Sequence, residues 1–118
     1  MTDYRVISSD NHVHEPEDLW TSRMGSEFKD RAPHIERLED GDWWFCDGRK
    51  VIGGGGGADA GVRFEDPDKL SAAHWNEEGR PGGYIPEEHV KDLDIDGMDV
   101  SILYPTTGVM LYGTEDSK

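Results

Sequence analysis

Apolar positions come in short β-prone bursts separated by polar stretches, and only one segment carries the boundary signals of a helix at both ends. Residues 3–9 centre on the β-branched pair Val6-Ile7 with no helical period, which predicts a first strand. That strand runs into Asp10-Asn11-His12-Val13-His14-Glu15-Pro16 and should stop by about residue 14, because Pro16 lacks an N–H and keeps Glu15 extended. A short helical turn is expected from Pro16, followed by a polar stretch to Asp40. Residues 42–52 place Asp47-Gly48 between two β-prone runs, the signature of a hairpin whose two turn residues need positive φ. Gly53 to Gly57 has no side chains to bury and should be a flexible loop, and residues 66–83 read as irregular apart from a turn at 67–70.

Residues 86–96 read as a helix. Pro86 suits the first helical position, Glu87 and Glu88 suit the positive end of the helix dipole, and Gly97 suits the left-handed position after the last turn. Val90, Leu93 and Ile95 mark its expected buried side. The run Val100-Ser-Ile-Leu-Tyr104 then gives a strand closed by Pro105. Strand, long excursion, helix and strand make a βαβ unit, with the two strands expected parallel and joined by a right-handed crossover. The fold class is α/β. Parallel strands need cover on both faces, which one such unit does not supply.

Charge narrows the function classes. Of 118 residues, 26 are acidic and 12 basic, a formal net charge of -14 that opposes approach to phosphate backbones and anionic membrane surfaces. Val, Ile, Leu and Phe together number 22 of 118, under the roughly 20% level at which high charge favours disorder, so a large core is not expected. No stretch approaches about 18 apolar residues, the N-terminus lacks the pattern of a leader, and the single Cys46 fits a reducing compartment. These features together predict a cytoplasmic protein with no nucleic-acid or membrane partner.

Candidate chemistry gathers at the end of the first strand. Alternate strand residues share a face, so Asp10, His12 and His14 should project together, two residues apart. A carboxylate and two neutral imidazoles suit zinc, manganese or iron, and the C-terminal end of the first strand of a βαβ unit is where such sheets build sites. Solvated histidines at a polar strand end are the plainer reading of the same residues.

The segment Ile7-Ser-Ser-Asp10-Asn-His12-Val-His14-Glu15-Pro16-Glu-Asp-Leu-Trp20 resembles the opening of the amidohydrolase-related family, the aminocarboxymuconate-semialdehyde decarboxylase-like branch of the amidohydrolase superfamily. Leu93-Asp-Ile-Asp96-Gly97-Met-Asp99-Val100-Ser-Ile-Leu-Tyr104-Pro105-Thr106 resembles that family's first-helix end and second strand, in the same order. The two matches cover about a third of the chain. The resemblance implies the N-terminal part of a (β/α)8 TIM barrel, namely its first strand, an excursion over residues 21–83 that contains the hairpin, its first helix and its second strand. It also implies a divalent metal, zinc first with manganese or iron as alternatives, held by His12 and His14 with Asp10 two residues earlier. Glu15 is the alternative ligand to His14, because related members pair His with Glu three positions on. Hydrolysis and non-oxidative decarboxylation of a small carboxylic acid are the chemistries implied. A barrel of this kind takes about 250 residues, so the remaining ligands and the catalytic base would lie beyond Lys118, and the chain alone would be an inactive N-terminal piece. The resemblance suggests a homo-oligomer for the whole enzyme.

Tyr104 and Thr106 flank Pro105 at the end of the second strand and are candidate substrate contacts, or else a core tyrosine and a loop threonine. His34, His74 and His89 read as surface histidines, and Cys46 as a buried thiol. Trp43, Trp44 and Phe45 would form a small satellite core, a lid or a subunit contact. From them comes the competing function, a small acidic non-catalytic binding module that uses the aromatic hairpin as its surface. Its prediction is cooperative unfolding of the isolated chain without metal.

Overall fold

The computed structural model describes residues 4–53 and 79–114. Its elements are strands β1 (Ile7–Val13), β2 (His34–Leu38), β3 (Gly41–Cys46), β4 (Arg49–Gly53) and β5 (Val100–Pro105), with helices α1 (Pro86–Asp96) and α2 (Thr107–Met110). β1 and β5 form a two-stranded parallel sheet, and β2-β3-β4 form an antiparallel one. Short 3-10 turns cover Ser26–Phe28, Pro81–Gly83 and Leu111–Gly113. No helix among the described residues is long and apolar enough to cross a membrane.

The parallel pair forms as expected. Its register runs from Ile7 opposite Val100 to Val13 opposite Pro105, with an irregularity between Ser8 and Asn11. At the pair's start, Val6 N donates to Asp99 Oδ2 at 2.8 Å and Asp99 N donates to the Val6 carbonyl at 2.9 Å. Asp99 therefore fixes the strand register before the ladder begins. α1 spans the expected residues, and Gly97 adopts φ 68°, ψ 33°. Met98 N reaches the Leu93 carbonyl at 2.9 Å and Gly97 N the Asp94 carbonyl at 3.3 Å, a Schellman stop that terminates the helix and turns the chain into β5.

The expected buried side of α1 is corrected. Val90 is 56% and Ile95 75% exposed, and the helix has no fully buried residue. Glu88, His89, Asp92 and Leu93 form its half-buried stripe, at helical spacing. Of the three apolar positions Leu93 lies on that stripe and Val90 and Ile95 do not, because His89 and Asp92 hold the stripe by hydrogen bonds. His89 Nδ1 contacts the Gly82 carbonyl at 3.1 Å, and its Nε2 lies 3.2 Å from Ser101 Oγ on β5.

The hairpin is present, with Asp47 at φ 53° and Gly48 at φ 72° in its turn. It belongs to a three-stranded sheet, since β2 lies within the stretch read only as polar. Glu39 and Asp40 link β2 to β3, where Gly41 takes φ 117°. The inner face of this sheet carries the most buried apolar packing among the described residues. Trp44 is 0% exposed and meets Trp20 edge-on at 5.2 Å between ring centroids. Asp42 is buried on the same face and accepts from Arg37 Nε at 3.0 Å. On the other face Lys50 Nζ sits 3.6 Å above the Trp43 ring, and Phe45 stacks on His34. Of the glycine run, Gly53 closes β4 and the rest lies outside the described residues, as do the turn at 67–70 and His74. The segment after Pro16 forms successive turns instead of an assigned helix, with Leu19 N bonded to the Pro16 carbonyl at 2.9 Å.

Candidate functional site

The C-terminal ends of β1 and β5 bring the candidate residues together. His12 pairs in register with Tyr104, and their rings lie 6.1 Å apart, tilted by 37°. Asp10 Oδ1 lies 3.5 Å from His12 Nε2. The strand thus brings a carboxylate oxygen and an imidazole nitrogen to one place on its open face. Opposite that face, Asn11 Nδ2 donates to Ser101 Oγ at 2.7 Å, which ties the sheet to His89 on α1.

His14 is placed differently from the alternation of a continuous strand. β1 ends at Val13, and His14 N donates to the Gly83 carbonyl at 2.7 Å, so the chain turns toward the Pro81–Gly83 segment. The imidazole packs over Gly83, where a Cβ would stand 3.5 Å from its Cγ. Burial pushes the His14 imidazole below its ordinary value; the Glu15 carboxylate opposes this and His12 reinforces it. The face read as a trio is therefore a close pair, Asp10 and His12, with His14 half-buried beside it. Among the described residues no group of three His, Cys, Asp or Glu side chains is arranged to hold a metal ion. Asn11, His12, His14, Arg80, His89 and Asp92 all border one cavity of about 200 Å³.

Glu15 is engaged elsewhere. It is only 5% exposed, and its carboxylate caps α2, with Oε2 accepting from Thr107 N at 3.0 Å and Oε1 from Gly108 N at 2.9 Å. Two charge-assisted bonds to the free amides of a helix start account for a buried carboxylate. Thr106 sits just before that turn, where its hydroxyl donates to the Val13 carbonyl at 2.7 Å and lies 3.4 Å from His12 Nδ1. Tyr104 and Thr106 both border the candidate pair.

Two of the histidines read as surface groups, His34 and His89, are partly enclosed. His34 Nδ1 contacts the Ala32 carbonyl at 2.8 Å, and His89 has the two partners given above. Cys46 is half-buried, with Sγ 3.7 Å from the Arg31 carbonyl. Trp44 lies wholly inside, so the hairpin's aromatic set is not one continuous outer surface. Sequence reasoning missed Arg80, whose guanidinium hydrogen-bonds Asp92 across the Pro81–Gly83 turn. No local sequence pattern signals this pair, because Arg80 and Asp92 lie 12 positions apart on different elements.

No family model matches the chain, and no curated protein matches it. Among solved structures it is similar to the crystal structure of an amidohydrolase from Mycobacterium avium subsp. paratuberculosis, with a TM-score of 0.59 and 21% sequence identity. The match covers 92% of this chain and 32% of that one, so the chain spans about a third of that protein's length. The likeness is one of fold, and the chain folds as a stretch of an amidohydrolase does.

Proposed function

We propose that this chain forms the N-terminal portion of a metal-dependent barrel enzyme of the amidohydrolase superfamily, in its aminocarboxymuconate-semialdehyde decarboxylase-like branch. The substrate is a small carboxylic acid, and the reaction is hydrolysis or non-oxidative decarboxylation. One observation carries the reading. Asp10 and His12 converge to 3.5 Å at the C-terminal end of the first parallel strand, in a chain with the fold of an amidohydrolase stretch.

The donor set fits a divalent ion of the zinc, manganese or iron type, since a neutral imidazole nitrogen and a carboxylate oxygen suit all three. His12 and Asp10 would hold it, with His14, which borders the same cavity, as the third donor. Burial favours the neutral, ligating form of His14, and both Glu15 oxygens serve α2. The chemistry supplied there would be that of a Lewis acid. The chain's own groups orient that site: Tyr104 borders the His12 ring and Thr106 contacts its Nδ1.

Sequencing the source transcript beyond Lys118 tests the proposal. The reading requires roughly 200 further residues that include a mid-barrel histidine and a late-strand aspartate. A stop codon directly after Lys118 contradicts it and favours the binding module.

A further inference from the structure

We infer that Thr106 is a positioning residue that fixes the tautomer of His12, holding the imidazole with its proton on Nδ1 and its lone pair on Nε2. The inference rests on the reading of His12 as a ligand for its purpose, although its geometry stands independently. A threonine hydroxyl has a single proton, and here that proton goes to the Val13 carbonyl, an acceptor only, at 2.7 Å. Toward His12 Nδ1, 3.4 Å away, the same oxygen can therefore only accept. The contact is a hydrogen bond only when Nδ1 carries the proton. Nε2 is then left with its lone pair, 3.5 Å from Asp10 Oδ1. Two acceptors this close repel unless a cation is shared by them, and Asp10, 79% exposed, stays open to water without one.

The rest of the turn makes Thr106 a fixed reference. The buried Glu15 carboxylate binds the amides of the next two residues, Thr107 and Gly108. Gly108 has no spare space, because a Cβ there would stand 2.9 Å from Pro105 Cβ and 3.3 Å from Glu15 Oε1. Pro105 is itself in register with Val13. Thr106 is thus held between a strand end and a capped helix start, while the His12 side chain is half exposed and needs an external constraint. Ligating histidines are commonly oriented by a partner on the other ring nitrogen, which is the role the geometry gives Thr106.

The test is nitrogen-15 NMR of the His12 ring in the metal-free chain at about pH 8.5, well above the ordinary imidazole pKa. The expected result is a protonated Nδ1 and an unprotonated Nε2 in the wild-type chain, retained in Thr106→Ser and exchanged for the Nε2–H form in Thr106→Val. A wild-type ring protonated on Nε2 overturns the inference, as does a folded Thr106→Val chain that keeps the proton on Nδ1. If Thr106→Val does not fold, the wild-type and Thr106→Ser spectra decide. Zinc titration separates this inference from the ligand reading. Thr106→Val should weaken zinc binding by about 10- to 100-fold. The stated tautomer together with zinc binding indifferent to His12→Ala removes the ligand role and leaves the positioning geometry standing.

Discussion

Glu15 Oε1 accepts a hydrogen bond from the Gly108 amide at 2.9 Å, joining the segment that leaves β1 to the start of α2 across 93 positions of sequence. Its other oxygen takes the Thr107 amide. Replacing Glu15 with Ala removes a charged acceptor from two enclosed donors and should cost about 2–3 kcal/mol. Gly108→Ala should also destabilise, because its Cβ would press on Pro105. Urea unfolding monitored by tryptophan fluorescence measures both, and a Glu15→Ala loss below about 0.5 kcal/mol would mean the cap contributes little.

The hairpin turn gives a cleaner backbone test. Gly48 holds φ 72° and a Cβ there would meet nothing within 4 Å, so any cost of Gly48→Ala comes from the backbone alone. That cost should be about 1–2 kcal/mol, and Gly48→Asn should recover part of it because Asn tolerates the left-handed region. Equal stability of the Ala and Asn variants would argue against this origin.

Trp44 and Trp43 are neighbours in sequence with opposite placements. Trp44→Ala should cost about 3–5 kcal/mol through the cavity it leaves against Trp20. Trp43→Ala, which loses a half-exposed ring beneath Lys50, should cost about 1 kcal/mol or less. If the two losses were equal, the hairpin would not have one inner and one outer face.

Asp92 supplies a pH signature. Its carboxyl is held below the ordinary value of 3.8, chiefly by the hydrogen bond from Arg80, with partial burial opposing and the charges of Arg80 and His89 assisting. Because its pKa is lower in the folded state, its stabilisation is present above 3.8 and is lost as pH falls through the lowered folded value. Carbon-13 NMR of the carboxyl should show the depressed midpoint in the wild-type chain and a return toward 3.8 in Arg80→Ala. An unshifted wild-type midpoint would show that the pair is not formed in solution.

Boundaries set by backbone chemistry were legible in the sequence. Pro86 and Gly97 delimit α1, Asp47-Gly48 makes the turn, and Val6-Ile7 leads into the strand that pairs in parallel with β5. β2 was not legible, because His34-Ile-Glu-Arg-Leu38 has only two apolar positions and its partner-facing Arg37 is an ionic contact to Asp42. Its one local signal, Asp40-Gly41, is the same dipeptide type that identified the hairpin, and Gly41 does take positive φ. The site was legible as residue types only. Spacing placed Asp10 and His12 together, but the end of β1 at Val13 sends His14 toward Gly83, a long-range pairing that no local pattern encodes. The same holds for Glu15, whose two amide donors lie beyond residue 106.

The central claim is that Asp10 and His12 form a divalent-metal locus, and paramagnetic NMR tests it most directly. Cobalt(II) added in substoichiometric amounts to the isotope-labelled chain should broaden the Asp10, His12 and His14 signals first, and His12→Ala should abolish that selectivity. Broadening that begins at His34, His89 or the carboxylates of α1, or that is the same in His12→Ala, would contradict the account.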